Sequence, residues 1–230
     1  MITQPMALGS RLLLAVLVLL SGCQLESFAE RQARQRAGYL GEAASSQEPL
    51  VWTSRRSPDA DGAIASLLAA HLYGGQARIS GELTAQTQAI LQRCEQSAPQ
   101  RTSGLNGSAI GLVGVNQDNG VDAAIAANHL VAVVDHRAPG TGNLSLPQAR
   151  RIDVRPWGAT TTILEQQAQS LGVVLPKPLA CAALGAIVMQ TQGLRSASTT
   201  PQDRQSAARL ARRAGIQQAQ LLTSFDLQER

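Results

Sequence analysis

The chain predicts an α/β or α+β fold, a small sheet with several short helices. Three observations carry that expectation. Short apolar runs at Leu50–Thr53, Ile110–Val115 and Leu130–Val134 alternate with segments whose apolar residues recur at helical spacing. Hydrophobic residues make up 44% of the chain and charged residues 16%, the balance of a chain that folds. The length, 230 residues, suits one domain of ordinary size or two small ones. We therefore expect a single α/β domain over 49–230, preceded by two stretches of different character, 1–22 and 23–48.

Taken in order, residues 24–48 are polar and lack a sustained apolar face, so they read as a tether with a short helix at Glu26 to Arg36. Leu50 to Thr53 is a strand, closed by the polar turn Arg55 to Asp59. Asp59 or Asp61 then caps a helix that runs through His71, with Ile64, Leu67, Leu68, His71 and Leu72 on one face. Ala77 to Ser80 is weakly strand-like, and a helix follows over Thr84 to Cys94. Pro99 to Gly107 reads as loop. Ile110 to Val115 is a glycine-spaced strand, followed by a short helix near Val121 to Ala127. Leu130 to Val134 is a continuous apolar run of the kind buried on both faces. Ala138 to Asn143 is a turn, Ser145 caps a short helix at Pro147, and Ile152 to Arg155 alternates as a strand does. Helices follow over Thr160 to Leu171 and Leu179 to Gln190, then an arginine-rich one capped by Thr200 or Asp203.

The N-terminus reads as an address. Leu12 to Leu20 is an unbroken apolar run. Nine helical residues rise about 14 Å, well short of the roughly 30 Å hydrocarbon core, so a signal-peptide core fits better than a span. Leu20-Ser21-Gly22-Cys23 follows and resembles the bacterial lipobox. That resemblance implies acylation of Cys23, a lipid anchor in the membrane and, with Gln24 next, a place on the periplasmic face of the outer membrane. Cys94 and Cys181 remain, an even remainder that suggests one disulfide in an oxidising compartment; two buried free thiols are the alternative.

Chemistry is harder to find. Aromatic residues are 3% of the chain, too few for stacking platforms, which argues against nucleic-acid binding. The net charge of +4 comes without a dense basic run. No histidine and cysteine cluster has zinc spacing, so neither metal nor cofactor is expected. Asp135 and His136 follow the best strand at its C-terminal end, the edge where open α/β sheets place their sites. Adjacent strand residues point apart, however, and a surface pair is the expectation. His71 reads as a core or rim histidine, and His129 opens a strand. The Arg209, Arg212 and Arg213 cluster reads as a solvated helix face.

Two segments resemble known families. Cys181-Ala182, Ile187-Val188-Met189, Leu194-Arg195 and Pro201 to Asp203 resemble the tail of the CpaD family of Tad-pilus lipoproteins. That implies a non-catalytic lipoprotein accessory to pilus assembly or secretion, with a secretin or pilus-assembly subunit as partner. Leu130 to Val134, Pro139 and Leu144 to Gln148 resemble a segment of phosphate-type periplasmic solute-binding proteins. The alternative that follows is a small-anion binding module using Arg137, Gly140, Thr141, Gly142 and Ser145.

Overall fold

A computed structural model describes residues 27–40, 49–102, 104–105, 107–117, 120–123, 129–138, 149, 151–217 and 225. In chain order the elements are α1 (Phe28–Leu40), β1 (Leu50–Thr53), α2 (Ala60–Tyr73), β2 (Gln76–Ile79), α3 (Ala85–Arg93), β3 (Gln100–Arg101), β4 (Ala109–Val113), β5 (His129–Asp135), β6 (Arg151–Val154), α4 (Thr160–Ser170), α5 (Lys177–Gln190) and α6 (Pro201–Ala214). The six strands form one sheet in the order β3-β2-β1-β4-β5-β6, and every pairing between neighbours is parallel. The fold is α/β. A wholly parallel sheet needs cover on both faces, and that explains the unbroken burial of β1 and β4.

The main core unites Leu50, Trp52 and Val113 of the sheet with Ile64 and Leu68 of α2, Ile163 of α4, and Leu184 and Ile187 of α5. On a second, smaller cluster lie Val51, Ile110, Leu112, Leu130 and Val133. Helix α5 is buried without interruption from Leu179 to Val188. A helix apolar all round belongs in the middle of a domain, and its run of alanines lets α2 and α6 approach closely. The structure joins Cys94, at the end of α3, to Cys181 in the first turns of α5, with their Cα atoms 5.5 Å apart across 87 residues of sequence. A loop that long confers roughly 4 kcal/mol on the entropic account.

Several elements differ from the sequence-based expectation. Helix α1 starts at Phe28, extends to Leu40 and lies on α2. Its Gln32 side chain donates to the His71 carbonyl at 2.5 Å, and Phe28 meets the His71 ring at 5.4 Å. The docked face is made of Gln and aromatic side chains and so shows no apolar period. Within the expected loop at 99–107, β3 pairs with β2 at the sheet edge; two exposed residues carry no periodic signal. The turn at 138–143, the helix at Pro147 and most of the 121–127 helix fall outside the described residues.

Gly111 shows how tightly the sheet centre is filled. It pairs in register with Trp52, and a Cβ at Gly111 would lie 2.3 Å from the Trp52 ring. The indole in turn donates to the Gly74 carbonyl at 3.1 Å, which pins it against moving aside. Gly111→Ala is expected to lower stability by about 2 kcal/mol through overpacking, read as a lower urea midpoint with an unchanged slope.

Candidate active site

In this strand order the chain leaves β1 toward one side of the sheet and β4 toward the other. The crevice outside the carboxyl ends of β1 and β4 is the place where such sheets hold ligands. Three connections deliver polar groups there: Asp59 and Asp61 after β1, Gly114 after β4, and Asp135, His136 and Arg137 at the end of β5. Thr160 at the start of α4 and Gln190 at the end of α5 complete the set.

Asp59 is the N-cap of α2, its Oδ1 accepting from the Gly62 N–H at 2.8 Å. Asp61 does something less local. Helix α4 has no side-chain cap of its own at Ala159. The two oxygens of Asp61 instead accept the N–H groups of Thr160 and Thr161, each at 2.9 Å, from about 100 residues away in sequence. Asp61 is 1% exposed, so the positive end of α4 is what makes its burial tolerable. A second buried carboxylate works from the other side. Asp203 accepts from the Gly158 N–H at 2.9 Å and the Thr162 hydroxyl at 2.6 Å while closing the capping box of α6 with Thr200.

His136 sits between these groups. Its Nδ1 lies 2.8 Å from the Thr160 hydroxyl and 3.5 Å from one carboxylate oxygen each of Asp61 and Asp135. Its Nε2 faces the Gln190 side-chain amide at 3.3 Å. Asp135 accepts the N–H groups of His136 and Arg137 through Oδ1, while its buried Oδ2 has no partner among the described residues. Burial pushes the Asp135 carboxyl above the usual range, against the opposing pull of Arg137 and His136. The Arg137 guanidinium donates to the Gly114 carbonyl at 2.6 Å and lies 3.4 Å from Asp135 and 3.3 Å from Asp59. It remains 36% exposed, open toward the crevice.

The Asp135–His136 pair is thus not on the surface. Strand β5 ends at Asp135, so the alternation that would point the two side chains apart stops there, and the turn folds His136 back over its neighbour. Of the anion-site residues expected from sequence, Arg137 lies in the crevice. Gly140, Thr141, Gly142 and Ser145 lie outside the described residues, as does Cys23. Cys181 is nine residues from Gln190 along α5, about 14 Å by helical rise. The expected solvated arginine face of α6 is partly structural. Arg209 pairs with the buried Glu165, and Arg213 donates to the Leu175 carbonyl at 2.7 Å. Sequence reasoning treated Asp59 and Asp61 as capping residues and missed their reach. The available signal was Pro58-Asp59-Ala60-Asp61, two carboxylates two residues apart at the end of the polar turn that follows an apolar strand, matched by an Asp-His pair at the end of another.

No protein-family model matches the chain. It is similar to proteins named as manganese-dependent inorganic pyrophosphatases. With that of Archaeoglobus fulgidus it shares 29% identity over 138 residues, 60% of this chain and 42% of the relative. With that of Deinococcus radiodurans it shares 31% over 166 residues, 70% of this chain and 52% of the relative. With that of Lactobacillus johnsonii it shares 28% over 168 residues, 70% and 53%. The chain thus spans about half the length of these relatives. Among solved structures it resembles a Methanococcus jannaschii protein assigned to the family II inorganic pyrophosphatases, with TM-score 0.69 and 22% identity over 76% of this chain and 60% of that one. It also resembles an exopolyphosphatase-related protein of Bacteroides fragilis, with TM-score 0.62 and 13% identity over 86% and 62%. At these identities the two structures establish the fold.

These findings correct the functional expectations. The likeness to pyrophosphatases runs over 87 to 168 residues, whereas the CpaD and solute-binding resemblances rested on short, low-information stretches. The non-catalytic pilus-accessory role, the secretin or pilus partner and the small-anion binding module are withdrawn on that ground. So is the expectation of no enzyme. The expectation of no metal fails against relatives named for manganese dependence. The outer-membrane, lipid-anchored placement inferred from the lipobox resemblance is not what these relatives suggest either. No helix among the described residues is long and apolar enough to cross a membrane.

Asp61→Ala leaves two buried N–H groups at the start of α4 without an acceptor. The expected cost is about 3 kcal/mol, with Asp61→Asn losing less because one acceptor oxygen remains. Chemical denaturation of the two variants against the parent checks both the size and the order.

Proposed function

We propose that the domain hydrolyses a phosphoanhydride, pyrophosphate or a short polyphosphate, in the crevice at the carboxyl ends of β1, β4 and β5. The observation that carries this reading is the likeness to six inorganic pyrophosphatases, which in three of them extends over 70% of the chain. The placement of Asp59, Asp61, Asp135, His136 and Arg137 supports it.

Each group has a chemical task available. The exposed side of the Arg137 guanidinium meets phosphoryl oxygens with a planar pair of donors and offsets their charge. His136 is turned by Thr160 and Gln190 so that one ring nitrogen lies beside the two carboxylates. Both ring nitrogens have side-chain partners, so the proton taken from attacking water, or returned to the leaving phosphate, passes at Nε2 once water replaces the Gln190 amide there.

The names of the relatives raise manganese as a cofactor, and the residues in the crevice do not fit that ion as they stand. Among the described residues no three of His, Cys, Asp and Glu form a group that could hold a metal. Both oxygens of Asp61 are committed to backbone N–H groups, and His136 is held by Thr160 and Gln190. A guanidinium already lies between Asp59 and Asp135. The carboxylate–imidazole–guanidinium set is therefore the machinery assigned here, with no step assigned to a metal.

The test is phosphate release from pyrophosphate and tripolyphosphate by the purified protein, with manganese present and with it chelated. Release above the uncatalysed rate is expected in at least one condition. His136→Ala should reduce it about 100-fold or more with its circular dichroism unchanged. No release from either substrate in either condition contradicts the reading.

A further inference from the structure

We propose that Arg137 is a built-in competitor for a divalent cation: its guanidinium occupies the cation position between Asp59, Asp135 and the Gly114 carbonyl. Four observations place it there. Its Nη1 donates to the Gly114 carbonyl at 2.6 Å and lies 3.4 Å from Asp135 Oδ1. Its Nη2 lies 3.3 Å from Asp59 Oδ2. These three oxygens come from three connections of the sheet, after β1, β4 and β5, and converge on one charged group. The other oxygen of the same carboxylate, Asp135 Oδ2, is buried and has no hydrogen-bond partner among the described residues. Carbonyl and carboxylate oxygens are the ligands that hard divalent ions take, so the donor set suits a cation and the chain supplies that cation itself.

The backbone holds the arginine in this pose. The Arg137 N–H donates to Asp135 at 3.2 Å, and its carbonyl accepts the Asn116 amide at 2.8 Å. The second anchor ties the turn after β5 to the segment after β4, so the head and the root of the side chain are both fixed. A Cβ on Gly114 would lie 3.9 Å from Nη1 and within 3.6 Å of the Thr160 hydroxyl. Those are ordinary contact distances; what calls for glycine here is the backbone, which sits in the left-handed region at φ 67°.

A divalent ion entering here meets like charge at close range. It must either displace the guanidinium from three acceptors or bind beside it, and both weaken its hold. The inference deepens the phosphoanhydride reading and rests on it for its biological sense, but its test needs no substrate. Manganese alone is titrated into the wild-type protein and into Arg137→Gln, with free ion followed by its electron paramagnetic resonance signal. Removal of the guanidinium is expected to tighten manganese binding about tenfold or more. Asp59→Asn added to Arg137→Gln should reverse that gain. Arg137→Lys keeps the charge and the fold but not the planar fork, and its affinity should fall between the two. Equal affinity of the wild type and Arg137→Gln overturns the proposal, as does equal affinity of the wild type and Arg137→Lys should the glutamine variant fail to fold. A protein that releases phosphate yet shows equal manganese affinities refutes this inference and leaves the hydrolytic reading standing.

Discussion

The carboxylate of Asp61 lies where the two halves of the domain meet. It rises from the first turn of α2, just after β1, and receives the first two N–H groups of α4 from the other end of the sheet. Take that contact away and α4 has no cap, His136 loses a neighbouring charge, and the Thr160 hydroxyl that holds the imidazole is no longer positioned. Asp203 reinforces the same short segment from α6. Two buried carboxylates, each matched to backbone N–H groups that it accepts, thus fix the wall of the crevice. The match is what makes buried charge tolerable, since an ionised carboxylate without donors would be neutralised or expelled.

A second network joins the same two helices from the opposite end of α2. The Tyr73 hydroxyl donates to Gln167, whose amide donates to Asp153, and Asp153 also accepts two bonds from Arg155. Burial alone would push the Asp153 carboxyl up, but the bonds from Arg155 and Gln167 outweigh it and hold the group below the usual range. This network ties α2, α4 and β6 together and contributes nothing to the crevice. Its role is rigidity, and a rigid frame is what lets three separate turns present polar atoms to one point.

How much of this was readable beforehand follows from the range of each interaction. Strands β1, β4 and β5 and helices α2, α4, α5 and α6 announce themselves through local apolar periods and caps, and the α/β class follows from their alternation. Parallel pairing and the strand order do not, because they are set by contacts between segments tens of residues apart. The site was hidden for the same reason. Asp59 is a good local N-cap, and that reading is correct but incomplete: its second oxygen meets Arg137, 78 residues later. Asp135 and His136 were discounted by applying strand alternation past the last strand residue. Arg137 was noticed as an anion-facing arginine, but nothing in the sequence says that it points at carboxylates as well. The function was misread because short terminal patterns were weighed above the arrangement of Asp, His and Arg at the ends of strands.

The similarity to pyrophosphatases and the local chemistry pull in different directions at one atom group. The relatives are named for manganese dependence, while in this chain the Arg137 guanidinium lies between two of the crevice carboxylates, Asp59 and Asp135. The measurement that addresses this most directly is diffraction from crystals equilibrated with manganese, recorded to reveal anomalous scattering from the ion. The account predicts no anomalous peak between Asp59 and Asp135, with the Arg137 guanidinium still within hydrogen-bonding reach of the Gly114 carbonyl. A strong peak at that position, with Arg137 turned out into solvent at moderate manganese concentration, would contradict it.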